Sequence, residues 1–148
     1  MSLLPRPARL AVLAALDIAL HGRSRPVSSR ALAARHDLPP RHLESMLQAM
    51  VRAGILKSVR GPAGGYELAR ERRRLNVGEI VRVALRAEES GLEGEGPRLL
   101  ALAVDPVFAD AERQALAKLD MITLDELHGQ AVAAGLGEVE GNEGDFDI

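Results

Sequence analysis

Residues 58–66 constrain the fold of this chain more than any other stretch of its sequence. They run Ser-Val-Arg-Gly-Pro-Ala-Gly-Gly-Tyr and lie between two short apolar runs, residues 55–59 and 66–69. Because glycine adopts positive φ without steric cost and proline presets its own φ, this composition indicates a turn. Two strand-like runs joined by a turn predict a β-hairpin.

The tip of the predicted hairpin is basic. Lys57 and Arg60 lie near it, and residues 57–66 contain no acidic side chain. After a helix, such a hairpin has the shape of a wing that lies along a phosphate backbone or enters a minor groove. An ordinary surface hairpin is the alternative, and the hairpin alone does not decide between the two.

A helix-turn-helix pattern precedes the hairpin. Ser28 or Ser29 can cap a short helix over residues 30–36, and Pro40 suits the first turn of a second helix that ends at Gly54. In this motif the second helix inserts into the major groove, where its N-terminal residues contact base edges.

The second helix of this pattern has two faces. The apolar side chains fall on one face: Leu43, Met46, Leu47, Met50 and Val51. The polar side chains follow steps of three and four on the other: Arg41, Glu44, Ser45, Gln48 and Arg52, with His42 at the N-terminal edge. Arginine pairs with guanine, glutamine pairs with adenine, and glutamate accepts from cytosine. A solvated helix face is the alternative, but the basic hairpin directly after it makes a winged helix the more specific interpretation.

Charge is divided unevenly along the chain. Residues 1–86 hold 16 Lys and Arg against 6 Asp and Glu, whereas residues 87–148 hold 3 against 15. This division predicts a front half that binds nucleic acid and an acidic rear half, with chance segregation of solvated charges as the alternative. In the basic loop after the hairpin, three arginines are expected to contact phosphates: Arg72, Arg73 and Arg74.

A first helix is predicted over residues 7–21. Its leucines fall at near-helical spacing and predict a buried helix: Leu10, Leu13, Leu16 and Leu20. Asp17 interrupts the apolar run, no small-residue cleavage site follows, and the run is shorter than the ~20 residues that span a bilayer. We therefore expect no membrane association and a cytoplasmic location.

The chain offers no recognisable catalytic or metal-binding chemistry. It has no cysteine, and none of its four histidines forms a pair at helical spacing. No nucleophile–base set appears, and the glycines of residues 61–65 are not followed by the Lys-Ser/Thr of a phosphate-binding loop. We therefore expect no enzyme activity and no metal site.

The rear half is predicted to contain three segments. An acidic, flexible loop covers residues 87–97, dimerisation helices cover 98–135, and a disordered acidic tail covers 136–148. Asp105 and Pro106 are interpreted as the N-cap and first turn of a helix. Its apolar stripe predicts contact with the same helix of a second subunit, with packing inside the subunit as the alternative: Phe108, Ala111, Ala115 and Leu119.

Six stretches of the chain form recognisable motifs. They are Ile-Ala-Leu at 18–20, Leu-Glu at 43–44, Ala-Gly-Ile-Leu at 53–56, the hairpin stretch at 58–66, Val-Gly-Glu-Ile-Val at 77–81 and Ile-Thr-Leu-Asp-Glu-Leu at 122–127. Together these motifs resemble those of the Rrf2 family of bacterial transcription regulators. The resemblance covers residues 7 to about 134 and implies a homodimeric winged helix in which a long helix crosses its mate.

The resemblance also implies roles for individual residues. Arg41, His42, Glu44 and Ser45 match base-proximal positions of the recognition helix. Arg60 matches a wing arginine that reaches the minor groove.

The chain departs from many members of this family at residues 88–104. There those members hold an iron–sulfur cluster on three cysteines, whereas this chain has acids, glycines and aliphatic residues. Without thiolate ligands we expect no cluster and no other cofactor. An unknown effector or a protein partner would then supply the signal.

The sequence as a whole predicts a mainly α fold with a small β-hairpin wing. A winged helix-turn-helix DNA-binding domain over residues 1–86 is followed by C-terminal dimerisation helices. The predicted function is that of a homodimeric repressor that binds a roughly palindromic operator in double-stranded DNA. A winged helix that binds a protein partner and lacks operator activity is the alternative. The predicted DNA contacts are Ser28, Ser29, Pro40, Arg41, His42, Glu44, Ser45, Gln48, Lys57, Ser58, Arg60, Gly61, Pro62, Gly64 and Gly65.

Overall fold

Six helices and one hairpin make up the described part of the chain. The structure is a computed structural model that describes residues 4–89 and 96–137. The elements are α1 (Arg6–His21), α2 (Ser29–His36), α3 (Pro40–Arg52), β1 (Leu56–Val59), β2 (Gly65–Leu68), α4 (Val77–Glu89), α5 (Asp105–Asp120) and α6 (Leu124–Ala133). The predicted mainly α fold with a small hairpin is confirmed.

The two strands pair antiparallel, with Leu56 opposite Leu68 and Val59 opposite Gly65. A third segment adds to this sheet just before α2. The N–H of Val27 donates to the Tyr66 carbonyl at 2.9 Å, and the N–H of Tyr66 donates back at 2.8 Å. The hairpin is therefore hydrogen-bonded to the start of the helix-turn-helix.

Polar side chains set the starts of several helices. The Ser28 hydroxyl accepts from the N–H of Ala31 at 3.1 Å, so α2 begins at Ser29. At the start of α4, Asn76 Oδ1 accepts from the N–H of Glu79 at 2.8 Å. The Glu79 carboxylate reaches back to the N–H of Asn76 at 3.5 Å, which completes a capping box.

The core is aliphatic, and the part of it that α1 supplies is made mostly of alanine. Alanines at four positions are at most 1% exposed: Ala8, Ala11, Ala14 and Ala15. The leucines that predicted the buried face are only partly buried. Small side chains let α1 lie close against α4, so the longer leucines flank the contact. The buried helix is confirmed, and alanines rather than leucines make its most buried contacts.

Helical structure continues without a break from residue 98 to Asp120. The interpretation of Asp105 as an N-cap is therefore wrong. Asp105 is itself helical, with φ −57° and ψ −40°, and its N–H donates to the carbonyl of Leu100. Pro106 has no N–H, and its ring would clash with the carbonyl four residues earlier. A wider π-helical turn at Leu100–Val104 accommodates the proline inside a longer helix.

The last helix returns to the first core. Leu124 is fully buried, and its N–H donates to the carbonyl of Leu75 at 2.8 Å. Arg82 of α4 pairs with Asp120 at the end of α5, with Nη2 2.9 Å from Oδ2. The predicted segment boundaries stay predictions, although α6 shares its buried contacts with the front half.

Parts of two predicted segments lie outside the described residues. They are residues 90–95 of the predicted acidic loop and 138–148 of the predicted tail. Among the helices that the structure describes, none has both the length and the apolar content needed to cross a bilayer.

Candidate nucleic-acid interface

The recognition helix, α3, presents its polar residues to solvent. Leu43, Leu47 and Met50 are buried in the core, which turns the opposite face outward. The helix begins at Pro40, whose missing N–H costs nothing at a first helical position. The residues predicted to meet base edges are all exposed: Arg41, His42, Glu44, Ser45 and Gln48.

The N-terminal end of α3 has a positive electrostatic character. Its first turn holds no acidic residue, and Arg41 and His42 are exposed there. The unpaired N–H groups at a helix N-terminus add partial positive charge. This end of α3 therefore attracts negative charge.

A side-chain hydrogen bond joins the recognition helix to the hairpin. Gln48 Nε2 donates to the hydroxyl of Tyr66 at 3.2 Å. Tyr66 is 7% exposed, so its ring is held in the core while its hydroxyl meets α3. This role of Tyr66 was not predicted from the sequence. Its partner, Gln48, lies 18 residues away, and no local sequence pattern connects the two.

The hairpin places a free cation at its tip. Arg60 is exposed and forms no ion pair within residues 4–89 and 96–137. Lys57, by contrast, lies opposite Glu67 and pairs with it at 3.3 Å. Gly61 adopts φ 113°, which a side chain would strain, and its carbonyl accepts from the N–H of Gly64 at 2.9 Å. The turn therefore projects Arg60 and Pro62 from the molecule.

Gly65 permits the close approach of the hairpin to the start of α2. A Cβ there would lie 2.5 Å from the carbonyl carbon of Val27, nearer than real contacts allow. Ser28 and Ser29 follow directly and are half-buried. The structure therefore brings the two serines together with the hairpin, but the Ser28 hydroxyl is already engaged in capping α2.

A buried carboxylate fastens α2 to α1. Asp17 is 3% exposed, and its oxygens accept from Arg35 at 2.7 and 2.9 Å. His36 Nε2 lies 2.6 Å from the same carboxylate. Burial opposes ionisation of Asp17, but the hydrogen bonds from Arg35 and His36 outweigh it and lower its pKa. From the sequence, Asp17 was recognised only as an interruption of an apolar run, and its contact with α2 was not predicted.

The basic loop after the hairpin is largely occupied by internal ion pairs. Arg72 Nε donates to Asp125 of α6 at 2.6 Å, and Arg73 Nε donates to Glu71 at 2.7 Å. The predicted phosphate contacts of this loop stay predictions. Arg72, however, already connects the base of the hairpin to α6.

The metal-binding chemistry of the chain is poor. Within the described ranges, no three His, Cys, Asp or Glu side chains gather closely enough to hold a metal ion. The entire sequence has no cysteine. These donors do not fit an iron–sulfur cluster, which needs soft thiolate ligands.

Comparison with known proteins gives one consistent result. The Rrf2 family model, described as an iron-dependent transcriptional regulator, matches residues 4–130. The protein rrf2 of Nitratidesulfovibrio vulgaris is 32% identical over 117 residues, which cover 76% of this chain and 77% of that protein. The chain spans about half the length of several other curated relatives.

Two solved structures have the same fold over most of their length. T. potens IscR has a TM-score of 0.69 and 32% identity, with 92% of this chain and 93% of that chain covered. CymR, the global cysteine regulator of B. subtilis, has a TM-score of 0.64 and 27% identity, with 88% and 98% covered. The relatives are transcriptional regulators and not enzymes. The chain therefore belongs to the Rrf2 family of DNA-binding transcriptional regulators, as its motifs predict.

Proposed function

We propose that this chain is a homodimeric repressor that binds a roughly palindromic operator without an iron–sulfur cluster. The observation that carries the proposal is the joined surface of α3 and the hairpin. The outward residues of α3 and the projecting Arg60 belong to two elements that the Gln48–Tyr66 hydrogen bond connects. A recognition helix and a wing held in one arrangement can engage a major groove and the adjacent minor groove together.

Base recognition is assigned to the N-terminal half of α3. Arg41 can pair with guanine, Gln48 can pair with adenine, and Glu44 can accept from cytosine. His42 and Ser45 lie beside them on the exposed part of the same helix. Arg60 is assigned to the minor groove, where an unpaired guanidinium meets concentrated negative potential.

Dimerisation is supported by apolar side chains that the subunit leaves exposed. Phe108 is 70% exposed and Leu99 is 76% exposed, and both lie on the long helix that ends at Asp120. Ala111 and Ala115 of the predicted stripe are also exposed, whereas Leu119 packs partly against the subunit's own core. Contiguous exposed apolar surface of this kind is typical of an interface. A two-fold dimer would also match the two half-sites of a palindrome.

Absence of a cluster is supported by the donor set. The family model is described as iron-dependent, but this chain lacks the thiolates that clusters require. The remaining donors in the rear half are carboxylates and one histidine, His128, and the carboxylates suit hard cations instead. A signal other than an iron–sulfur cluster would therefore regulate DNA binding by this chain.

The test is operator binding by the full chain. DNA fragments that co-purify with the protein would be sequenced, and the enriched fragment would be used in mobility-shift titrations at several salt concentrations. We expect Arg60→Ala to weaken operator binding by ~1–3 kcal/mol. The matched control is Arg113→Ala, which removes the same charge from α5, a helix that is not part of the proposed DNA surface.

Two results would overturn the proposal. One is an enriched fragment that the protein binds no better than random DNA, which would favour a winged helix that binds a protein partner. The other is an equal loss of operator affinity in Arg60→Ala and Arg113→Ala. That result would mean that Arg60 acts only through the net charge of the protein and not through a contact of the wing with DNA.

A further inference from the structure

A cavity of about 670 Å³ adjoins the recognition helix. On α3 it is lined by a stripe that steps by three and four residues and includes His42, Met46 and Ala49. Arg41, Glu44 and Gln48 follow a neighbouring stripe on the same helix. The cavity therefore lies beside the proposed base-reading face and shares the helix with it.

The remaining walls come from the first helix, from the turn inside the helix-turn-helix, and from the end of α4. These three walls contribute the apolar side chains of Leu10, Leu38 and Val83, respectively. The volume lies within the range of roughly 300–1,000 Å³ that is typical of small-molecule sites. The interior thus suits an aliphatic group.

The rim of the cavity is cationic. Arg6 and Arg52 line it and are exposed, and among the residues that the structure describes no acidic side chain lines it. His42 is exposed beside them. Arg6 and Arg52 form no ion pair with the residues that the structure describes. An apolar interior with two exposed guanidinium groups at its rim complements a ligand with an aliphatic chain and one negative head group.

We propose that this cavity binds an aliphatic carboxylate and that its occupancy changes the affinity of α3 for DNA. The second half of this inference rests on the proposed operator-binding function. His42 and Ser45 line the cavity and also belong to the predicted DNA contacts, so a bound ligand would bias the positions that α3 can take on DNA.

Calorimetric titration of the full chain tests the binding. The probes are decanoate and decylammonium below their micellar concentrations, which share a chain length and differ in charge. We expect one decanoate per chain, bound at least about tenfold more tightly than decylammonium. A charge reversal at the rim, Arg6→Glu, should weaken decanoate about tenfold, and an acidic residue in a first helical turn leaves the helix favourable.

A second variant fills the cavity. Ala87→Trp at the exposed end of α4 should weaken both probes. Arg113→Glu on α5 is the matched charge control and should change neither. Thermal unfolding of each variant by circular dichroism checks that it folds.

Three outcomes would overturn the site. They are equal affinity for the two probes, unchanged decanoate binding by a folded Ala87→Trp protein, and dissociation of a wild-type dimer by Ala87→Trp. The last result, measured by light scattering, would mean that a second copy of the chain fills the cavity.

Regulation is tested separately by repeating the operator titration with decanoate. A change of about tenfold in operator affinity is expected for the wild type and no change for Ala87→Trp. Decanoate binding without a change in operator affinity overturns the regulatory half. Failure to bind any operator would instead overturn the proposed function and leave the calorimetric result standing.

Discussion

At the scale of single residues, Tyr66 connects the hairpin to the recognition helix. Its ring is buried, and its hydroxyl accepts from Gln48 at 3.2 Å. A buried tyrosine ring holds its hydroxyl in a fixed position, where an exposed side chain can form a hydrogen bond with it. Gln48 is therefore oriented before DNA arrives, which lowers the conformational entropy lost when it contacts a base.

We expect Tyr66→Phe to keep the fold and to relax base preference at the position that Gln48 contacts. Removal of one neutral hydrogen bond should cost about 0.5–1.5 kcal/mol of discrimination. Mobility-shift titrations with operators altered at single positions would measure it. Gln48→Ala and the Tyr66→Phe/Gln48→Ala double variant complete a double-mutant cycle. Strictly additive losses of base discrimination in the two single variants would contradict coupling between Gln48 and Tyr66.

At the scale of elements, the contact between α1 and α2 depends on one buried carboxylate. Asp17 of α1 accepts hydrogen bonds from Arg35 and has His36 within 2.6 Å at the end of α2. Because α2 has only eight residues and buries few apolar side chains, this polar contact helps to set its position against α1. The angle at which α3 leaves the core follows from that position.

Asp17→Asn should lower the free energy of unfolding by about 1.5–3 kcal/mol at neutral pH, because hydrogen bonds to a charged group are lost. Although burial opposes this, hydrogen bonds from Arg35 and His36 hold the folded-state pKa of Asp17 below the ordinary value of an aspartate. Its contribution is therefore fully present above the unfolded pKa and is lost as the pH falls through the folded value. Urea unfolding of wild type and variant should differ at neutral pH, and the difference should narrow below about pH 4.

The matched control for this prediction is Asp37→Asn. Asp37 is exposed and has φ 52°, a conformation that asparagine tolerates well. The control should leave the free energy of unfolding nearly unchanged. A loss of stability as large in Asp37→Asn as in Asp17→Asn would contradict a specific role for the buried carboxylate.

At the scale of the whole molecule, the long helix leaves apolar side chains exposed while α6 returns to the core. Phe108 and Val107 are 70% and 67% exposed on this helix. Asp120 and Leu124, just beyond the exposed part, are tied to the front half by Arg82 and Leu75. One end of the helix is thus anchored to the subunit, and the other leaves its apolar side chains exposed.

Ala115→Glu should convert a wild-type dimer into monomers, because it would bury an unpaired charge in the proposed interface. Light scattering at micromolar concentration measures the change in mass. Ala117→Glu adds the same charge to an exposed position on the opposite side of α5 and should leave the dimer intact. A monomeric wild type would remove the basis of the prediction.

Iron and sulfide should have no effect on the protein. Anaerobic purification with both supplied is expected to yield no visible charge-transfer band and no stoichiometric iron, because the chain has no thiolate ligand. Operator affinity should be the same with and without this treatment. Bound iron near one cluster per chain, or operator binding that depends on it, would refute the cluster-free proposal.

The sequence by itself determined the features that depend on neighbouring residues. Gly61 and Pro62 specify the turn of the hairpin, Ser28 starts α2, and Pro40 and Gly54 lie at the two ends of α3. In each case the deciding physics is a backbone conformation or a capping hydrogen bond within a few residues. These local signals were sufficient to predict a winged helix and the exposed face of α3.

Only the tertiary structure decided the features that join distant parts of the chain. The Asp17–Arg35 contact spans 18 residues, and the Arg72–Asp125 contact spans 53. The alanine face of α1 likewise depends on what packs nearby, because it is α4 that lies against it. Such contacts cannot be predicted from the spacing of residues in the sequence. Their energy depends on burial and on partners that only folding brings together.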